Sequence, residues 1–212
     1  MSSVFKVNSR SNWAALNPVL MDGEAAVESQ TNNLKIGNGK STWNQLPYFS
    51  GPGYWASFWD STSQTATANT PTSIYLRSED PANRGIHIVS QNRITFDHAG
   101  VYSITFSIQF SNTGEQIHDV NVWLRKNDSG ASGDVPATDS RFSIISSHGG
   151  IPGSVIGCVN FVLPVVANDY LELIWATSNA NAFILAETAA TSPFAHPSIP
   201  GVVCTVVQVA SA

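Results

Sequence analysis

The run VYSITFSIQFS, residues 101–111, constrains the fold more than any other stretch. Tyr102, Ile104, Phe106, Ile108 and Phe110 take alternate positions, and Ser103, Thr105, Ser107, Gln109 and Ser111 fill the places between. Successive side chains of a strand point to opposite faces, so the pattern predicts a strand with one apolar face and one polar face. On a helix the same aromatic and aliphatic residues would fall on two opposed sides rather than on one. Such a strand needs backbone partners on its edges and cover for its aromatic face, which commits the chain to a layered β structure.

Further strands follow at intervals. In DVNVWLRKN, Val120, Val122 and Leu124 share one face and Trp123 lies opposite. VIGCVNFVLPV is apolar on both faces, which predicts burial on both sides. DYLELIWATS alternates through Leu171, Leu173 and Trp175, with Glu172 on the other face, expected to meet water or a neighbouring subunit. GVVCTVVQVA closes the chain, and YWASFWD, TSIYL, GIHIVS and RITF are shorter candidates. Turn clusters separate them: SEDPANRG, DHAG, NDSGASGDVPATDS, SHGGIPGS and TSPFAHPSIPG. Many short strands with Gly/Pro-rich turns predict an antiparallel sandwich or barrel. The long polar loop Asn127–Ser140 is expected at an exposed end. Helical periodicity is missing; the nearest case, SNWAALNPVLMDGEAAV, is interrupted by Pro18 and Gly23.

Residues 1–50 read differently, as short pieces between polar turns, with Trp13, Leu16, Leu20, Ile36, Trp43, Leu46 and Tyr48 as the apolar points. So small a segment buries too little surface alone, and is expected to pack on the main domain, residues 51–212, or to intertwine with copies of itself. Ser50-Gly51-Pro52-Gly53 is the expected joint.

Charged residues are only 12% of the 212 and the net charge is −5, with no basic block, so neither nucleic acid nor an anionic membrane is an expected partner. With 42% hydrophobic residues the chain is not of the disordered class. MSSVFKVNSR has no apolar core for a secretion signal, so synthesis in the cytoplasm without export by the usual route is expected. CVNFVLPVVA is too short to span a bilayer, and no membrane insertion is expected. Cys158 and Cys204 lie inside strand-like runs and read as buried free thiols, with a disulfide between them left open.

KIGNGKSTWNQLPYF, residues 35–49, carries GKS followed by Thr42, like the end of a phosphate-binding loop. That loop requires a glycine at position 34, where Leu34 stands, and a helix afterwards, which Pro47 prevents. Asn38-Gly39 instead predicts a tight reversal between LKI and KSTW.

The segment Asn12–Tyr48 resembles a module near the start of bacteriophage tail and neck fibre proteins. Trp13, Asn17, Pro18, Leu20, Gly23 and Glu24 match its first part; Thr31, Lys35, Ile36, Gly37, Asn38, Gly39, Trp43, Asn44, Leu46, Pro47 and Tyr48 match the rest. Ala26-Val27 departs from the Gly-Tyr often found there. From about Tyr54 to Ala210 the chain is similar to the jelly-roll domains of tumour necrosis factor and the complement globular heads, a domain that phage particles also carry. FDHAGVYSITFSIQFSN, VWLRKN, VNFVLPVVANDYLELIWATSNAN and PGVVCTVVQV carry the likeness, with Gly100, Tyr102, Asn168, Asp169, Leu171 and Leu173 at the family's marked places. The resemblance implies an all-β, antiparallel jelly-roll β-sandwich of about ten short strands behind a small β-turn-rich N-terminal module, packed as a homotrimer. Tyr102, Trp123 and Trp175 are expected in the core, or else between subunits.

A polysaccharide-cutting fibre would need paired carboxylates. Glu172, Glu187, Asp97, Asp119 and Asp169 are the candidates, but Asp97 and Asp169 precede strands, where Asp commonly bonds nearby backbone. His87, His98, His118, His148 and His196 lack metal-ligand spacing, which leaves only one His per subunit on a threefold axis. Asp128, Asp134 and Asp139 lack the ligand alternation of a calcium loop, and no G-x-S-x-G elbow occurs. No catalytic residue, metal or cofactor is therefore assigned. The expectation is a phage virion structural protein rather than an enzyme. It would be a trimeric tail or neck fibre component, joined to other virion proteins through residues 1–50, that attaches to host-surface glycan or protein. Loops 127–140, 146–154 and 189–200 would make the contact. A capsid decoration protein and a polysaccharide-degrading tail spike are the alternatives.

Overall fold

A computed structural model describes residues 5–49 and 53–211, with one short α-helix and 49% of the residues in strands. The chain divides into two compact units, residues 1–52 and 53–212. Of the expected joint, residues 50–52 lie outside the described residues.

In the first unit, β1 (Lys6–Asn8) runs parallel to β2 (Ala25–Glu28), and β2 pairs antiparallel with β3 (Leu34–Ile36). Between β1 and β2 lies α1 (Arg10–Leu16), a helix absent from the sequence reading. Ser9 caps its start, its side chain accepting from the Asn12 N–H, and Asn17 ends it in the left-handed region at φ 41°, directly before Pro18. At seven residues the helix is too short for periodicity to reveal it; its caps were the signal. Trp13, Leu20, Trp43 and Leu46 form a small core with Ala26, and the Trp13 and Trp43 rings stack 4.7 Å apart. Leu16, Ile36 and Tyr48, expected as apolar anchor points, are exposed.

The turn at Asn38-Gly39 forms, with Gly39 at φ 69° and Asn38 Oδ1 accepting from the N–H groups of Lys40 and Ser41. The hairpin between LKI and KSTW does not, because β3 takes β2 as its partner and Thr42 bridges Val19. Lys35 is buried. Its Nζ donates to the Trp43 carbonyl at 2.8 Å and stands over the Trp43 and Tyr48 rings, which accounts locally for the lysine of the K-I-G stretch without any phosphate.

The second unit begins with β4 (Trp55–Asp60), β5 (Thr72–Ser73), β6 (Ser78–Glu79), β7 (Ile86–Val89), β8 (Arg93–Phe96) and β9 (Gly100–Asn112). It continues with β10 (His118–Lys126), β11 (Ser140–Ile144), β12 (Gly153–Val165), β13 (Tyr170–Thr177), β14 (Ala182–Ile184) and β15 (Val202–Ser211). One sheet has the order β11-β10-β13-β8-β7, with β5 also on β13. The other has the order β12-β9-β15-β4-β6, with β14 also on β9. Every pairing between named strands of these two sheets is antiparallel. Most neighbours in each sheet are distant in sequence, as a jelly roll requires.

β9 does what its alternation demands: Tyr102, Ile104, Phe106, Ile108 and Phe110 are all buried. They meet Val120, Val122 and Leu124 of β10 and Leu171, Leu173 and Trp175 of β13 in one core. β12 does not follow the expectation of two buried faces. It is the terminal strand of its sheet, and Ile156 and Val162 on its outward face are exposed. Cys158 shares that outward face, so it is an exposed thiol, whereas Cys204 is buried. Both are free: Cys158 pairs in register with Ser107 and Cys204 with Phe106, which places them on opposite faces of the sheet with β9 between.

Candidate functional site

The outer faces of the two sheets differ in kind. The sheet of β12, β9, β15 and β4 carries no charged side chain on its outward positions. Three rows cross it in register: Trp59, Val203, Ser107 and Cys158; Ser57, Thr205, Thr105 and Asn160; Trp55, Val207, Ser103 and Val162. Ile156 is 60%, Val162 59% and Val209 56% exposed. Three of the polar groups here satisfy one another: the Asn160 amide donates to the Ser103 hydroxyl at 2.8 Å and to the Thr105 hydroxyl at 2.6 Å. A face that is neutral and partly apolar loses less by leaving water than a charged one.

The opposite sheet is charged and hollowed. Asp119, Asn121 and Trp123 point outward along β10; in register with them lie Ser143 and Arg141 on β11, and Ala176 and Ile174 on β13. A groove of about 450 Å³ lies here, lined by Asn69, Pro71, Asp119, Asn121, Trp123, Asp139, Arg141, Ala176, Thr177 and Ser178. Ala176, small and directly opposite Asn121, leaves the floor low. Asn121 Nδ2 donates to both oxygens of Asp139 at 3.0 and 2.9 Å. Ser143 Oγ donates to Asp119 Oδ1 at 2.6 Å, and Arg141 Nη1 stands 3.9 Å from Asp119 Oδ2. Trp123 is half-buried, and its indole N–H is wholly covered on the side of the Asp134 carboxyl, whose pKa it helps to lower, so its open part is hydrocarbon ring.

The other candidates disperse. Glu172, expected at a wet or intersubunit surface, is buried: Asn92 Nδ2 donates to it at 2.6 Å and Arg93 Nε lies 3.9 Å away. Its neighbours on β5 and β8 cover what the period-2 pattern alone exposes. Asp97 makes no side-chain bond to nearby backbone and instead faces His87 at 3.3 Å. Asp169 does accept from nearby backbone, the Val166 N–H at 2.7 Å, and also from Asn127 at 2.6 Å and Lys126 at 2.7 Å. Burial pushes its pKa up, but these three donors outweigh that and hold it below the usual carboxylate value.

In the 127–140 loop the three aspartates serve separately. Asp128 accepts from the Ser132 hydroxyl and the Gly130 N–H, which lower its pKa, Ser132 foremost. Asp134 is raised by burial but lowered more by Arg125, whose Nε bonds it at 2.7 Å, together with the Trp123 indole. Asp139 belongs to the groove. His98 stacks on Tyr54, while His148 and His196 lie in bridged loops. Among the described residues no group of His, Cys, Asp and Glu is placed to hold a metal ion. Of the three expected contact loops, 127–140 alone reaches the groove, through Asp139. Asn69, Pro71, Asn121, Arg141, Ala176, Thr177 and Ser178 carry no local sequence signal of the groove. The available signal was Trp123, an aromatic residue set against the valine face of its own strand.

No protein-family model matches the sequence, and no curated protein matches it. Among solved structures the fold is similar to Eiger TNF from S. frugiperda, with a TM-score of 0.52 over 76% of this chain and 96% of that chain, at 14% identity. The chain thus carries a jelly roll of the tumour-necrosis-factor type, a likeness of fold alone.

Proposed function

We propose that the protein is a homotrimeric structural component of a bacteriophage particle, a tail or neck fibre subunit whose jelly-roll head attaches to the host surface. The uncharged outer face of the β12-β9-β15-β4 sheet carries the trimeric part of this reading. Exposed Ile156, Val162, Val207 and Val209 lie on it without a single countercharge to keep it wet, while the other sheet keeps its charges. Packed around a threefold axis, that face would be covered and the charged sheet left outward. Three outward heads then act together, so weak single contacts sum to firm attachment. The virion assignment rests on the Asn12–Tyr48 resemblance, whose module would fix the chain to other virion proteins.

Two measurements test this. Light scattering of the full chain should give three times the mass of one copy, and a well-behaved monomer ends the trimeric reading. Immunogold labelling of particles should mark tail or neck. Label over the capsid lattice would replace the fibre by a decoration protein, and sustained release of reducing ends from host polysaccharide would replace the binder by a hydrolase.

A further inference from the structure

We infer that the groove on the outer face of β10, β11 and β13 is a saccharide subsite that takes a neutral pyranose unit of a surface glycan. This rests on the attachment role proposed above and names what is attached and where. The volume, about 450 Å³, lies in the range of small-molecule sites. Its chemistry divides in the way a sugar ring does. Trp123 offers only hydrocarbon to the groove, because its N–H is covered, and suits the C–H face of a pyranose. Around it stand groups that suit hydroxyls. Asp139 accepts, its orientation fixed by the paired bonds from Asn121; Asp119 accepts, held by Ser143; and Arg141, 67% exposed on its side chain, donates.

Charge selects the class of sugar. The groove brings two carboxylates against one guanidinium, and that guanidinium already lies 3.9 Å from Asp119. A sialic or uronic acid would bring a further carboxylate beside Asp119 and Asp139 and be repelled. A neutral ring donates hydroxyls to both aspartates without that cost. The small Ala176, beside Asn121 on β13, leaves room for the ring next to Trp123.

The test uses the fluorescently labelled full chain on an array of neutral, sialylated and uronate-bearing glycans, followed by titration of the best neutral oligosaccharide. Binding to neutral glycans is expected, with Trp123→Ala weakening it about tenfold or more. Asp139→Asn and Arg141→Ala, both at the groove rim, should weaken it as well while the thermal transition stays unchanged. Light scattering of the same samples separates the two readings. A trimer that binds no neutral glycan, or binds it equally well in all three variants, overturns the saccharide site and leaves the trimer standing. A monomer that binds neutral glycans through Trp123 does the reverse. Binding confined to sialylated or uronate glycans also overturns the assignment.

Discussion

At the scale of single residues, burial decides which polar groups matter. Asp169 sits beneath Lys126, Asn127 and the Val166 N–H, and its carboxyl is held below the usual value although burial opposes this. A carboxyl whose pKa falls on folding stabilises the folded state above the ordinary carboxylate range, and that contribution fades as pH falls through the lowered value. Asp169→Asn should therefore cost roughly 1–3 kcal/mol at neutral pH. Thermal melts in acid, below the carboxylate range, should show the gap to wild type narrowing; a gap independent of pH would mean that the charge contributes nothing. Cys204 gives a second residue-scale outcome. Complete burial pushes its thiol up to about 12, so almost no thiolate exists near neutral pH. Mass spectrometry after mild alkylation should find Cys204 unmodified until denaturant is added, and early labelling at that position would show that the β15–β9 core opens readily.

At the scale of elements, close approach matters more than propensity. Gly153 opens β12 against the end of β11, and a Cβ there would lie 1.9 Å from the Ile145 carbonyl oxygen, a backbone atom with little freedom to retreat. Gly149 in the same connection sits at φ 58° with nothing within 4 Å. Gly153→Ala should thus destabilise by about 2 kcal/mol or more, and Gly149→Ala by roughly 1 kcal/mol from backbone strain alone. Denaturant titration of the pair checks the order, and equal losses would mean that the β11–β12 connection yields. The same local physics sets how much of the fold could be read. The alternation of β9 fixed its faces, because five large side chains on one side admit only one arrangement. The continuous apolar run of β12 misled, because apolar residues on both faces cannot say whether the second face meets its own chain or another. Glu172 misled in the opposite sense, since its cover comes from Asn92, Arg93 and Ser73, remote in sequence. The groove was legible at Trp123, at Asp119 and, through the 127–140 loop, at Asp139; Asn69 and Arg141 reach it through strand order and loop path, which no local pattern encodes.

At the scale of the whole molecule, the question is what covers the uncharged sheet. Its outward strand positions carry no acid or base, and exposed Ile156 and Val207 lie on different strands of it. A carboxylate at either position would keep access to water in the single chain, because both side chains point outward and are exposed, so the jelly roll itself should tolerate it. In a trimer packed on that face the same carboxylate would be stripped of water in three copies, against neighbours that offer no cation. Ile156→Asp and Val207→Asp should therefore leave the β-sheet circular dichroism intact while light scattering falls from three copies to one. Cys158, on the same face, provides an independent readout, since its alkylation should speed up in whichever variant dissociates. A variant that keeps both the trimer mass and the slow alkylation would place the subunit contact on another surface, and the neutral face would then need a different partner to account for its composition.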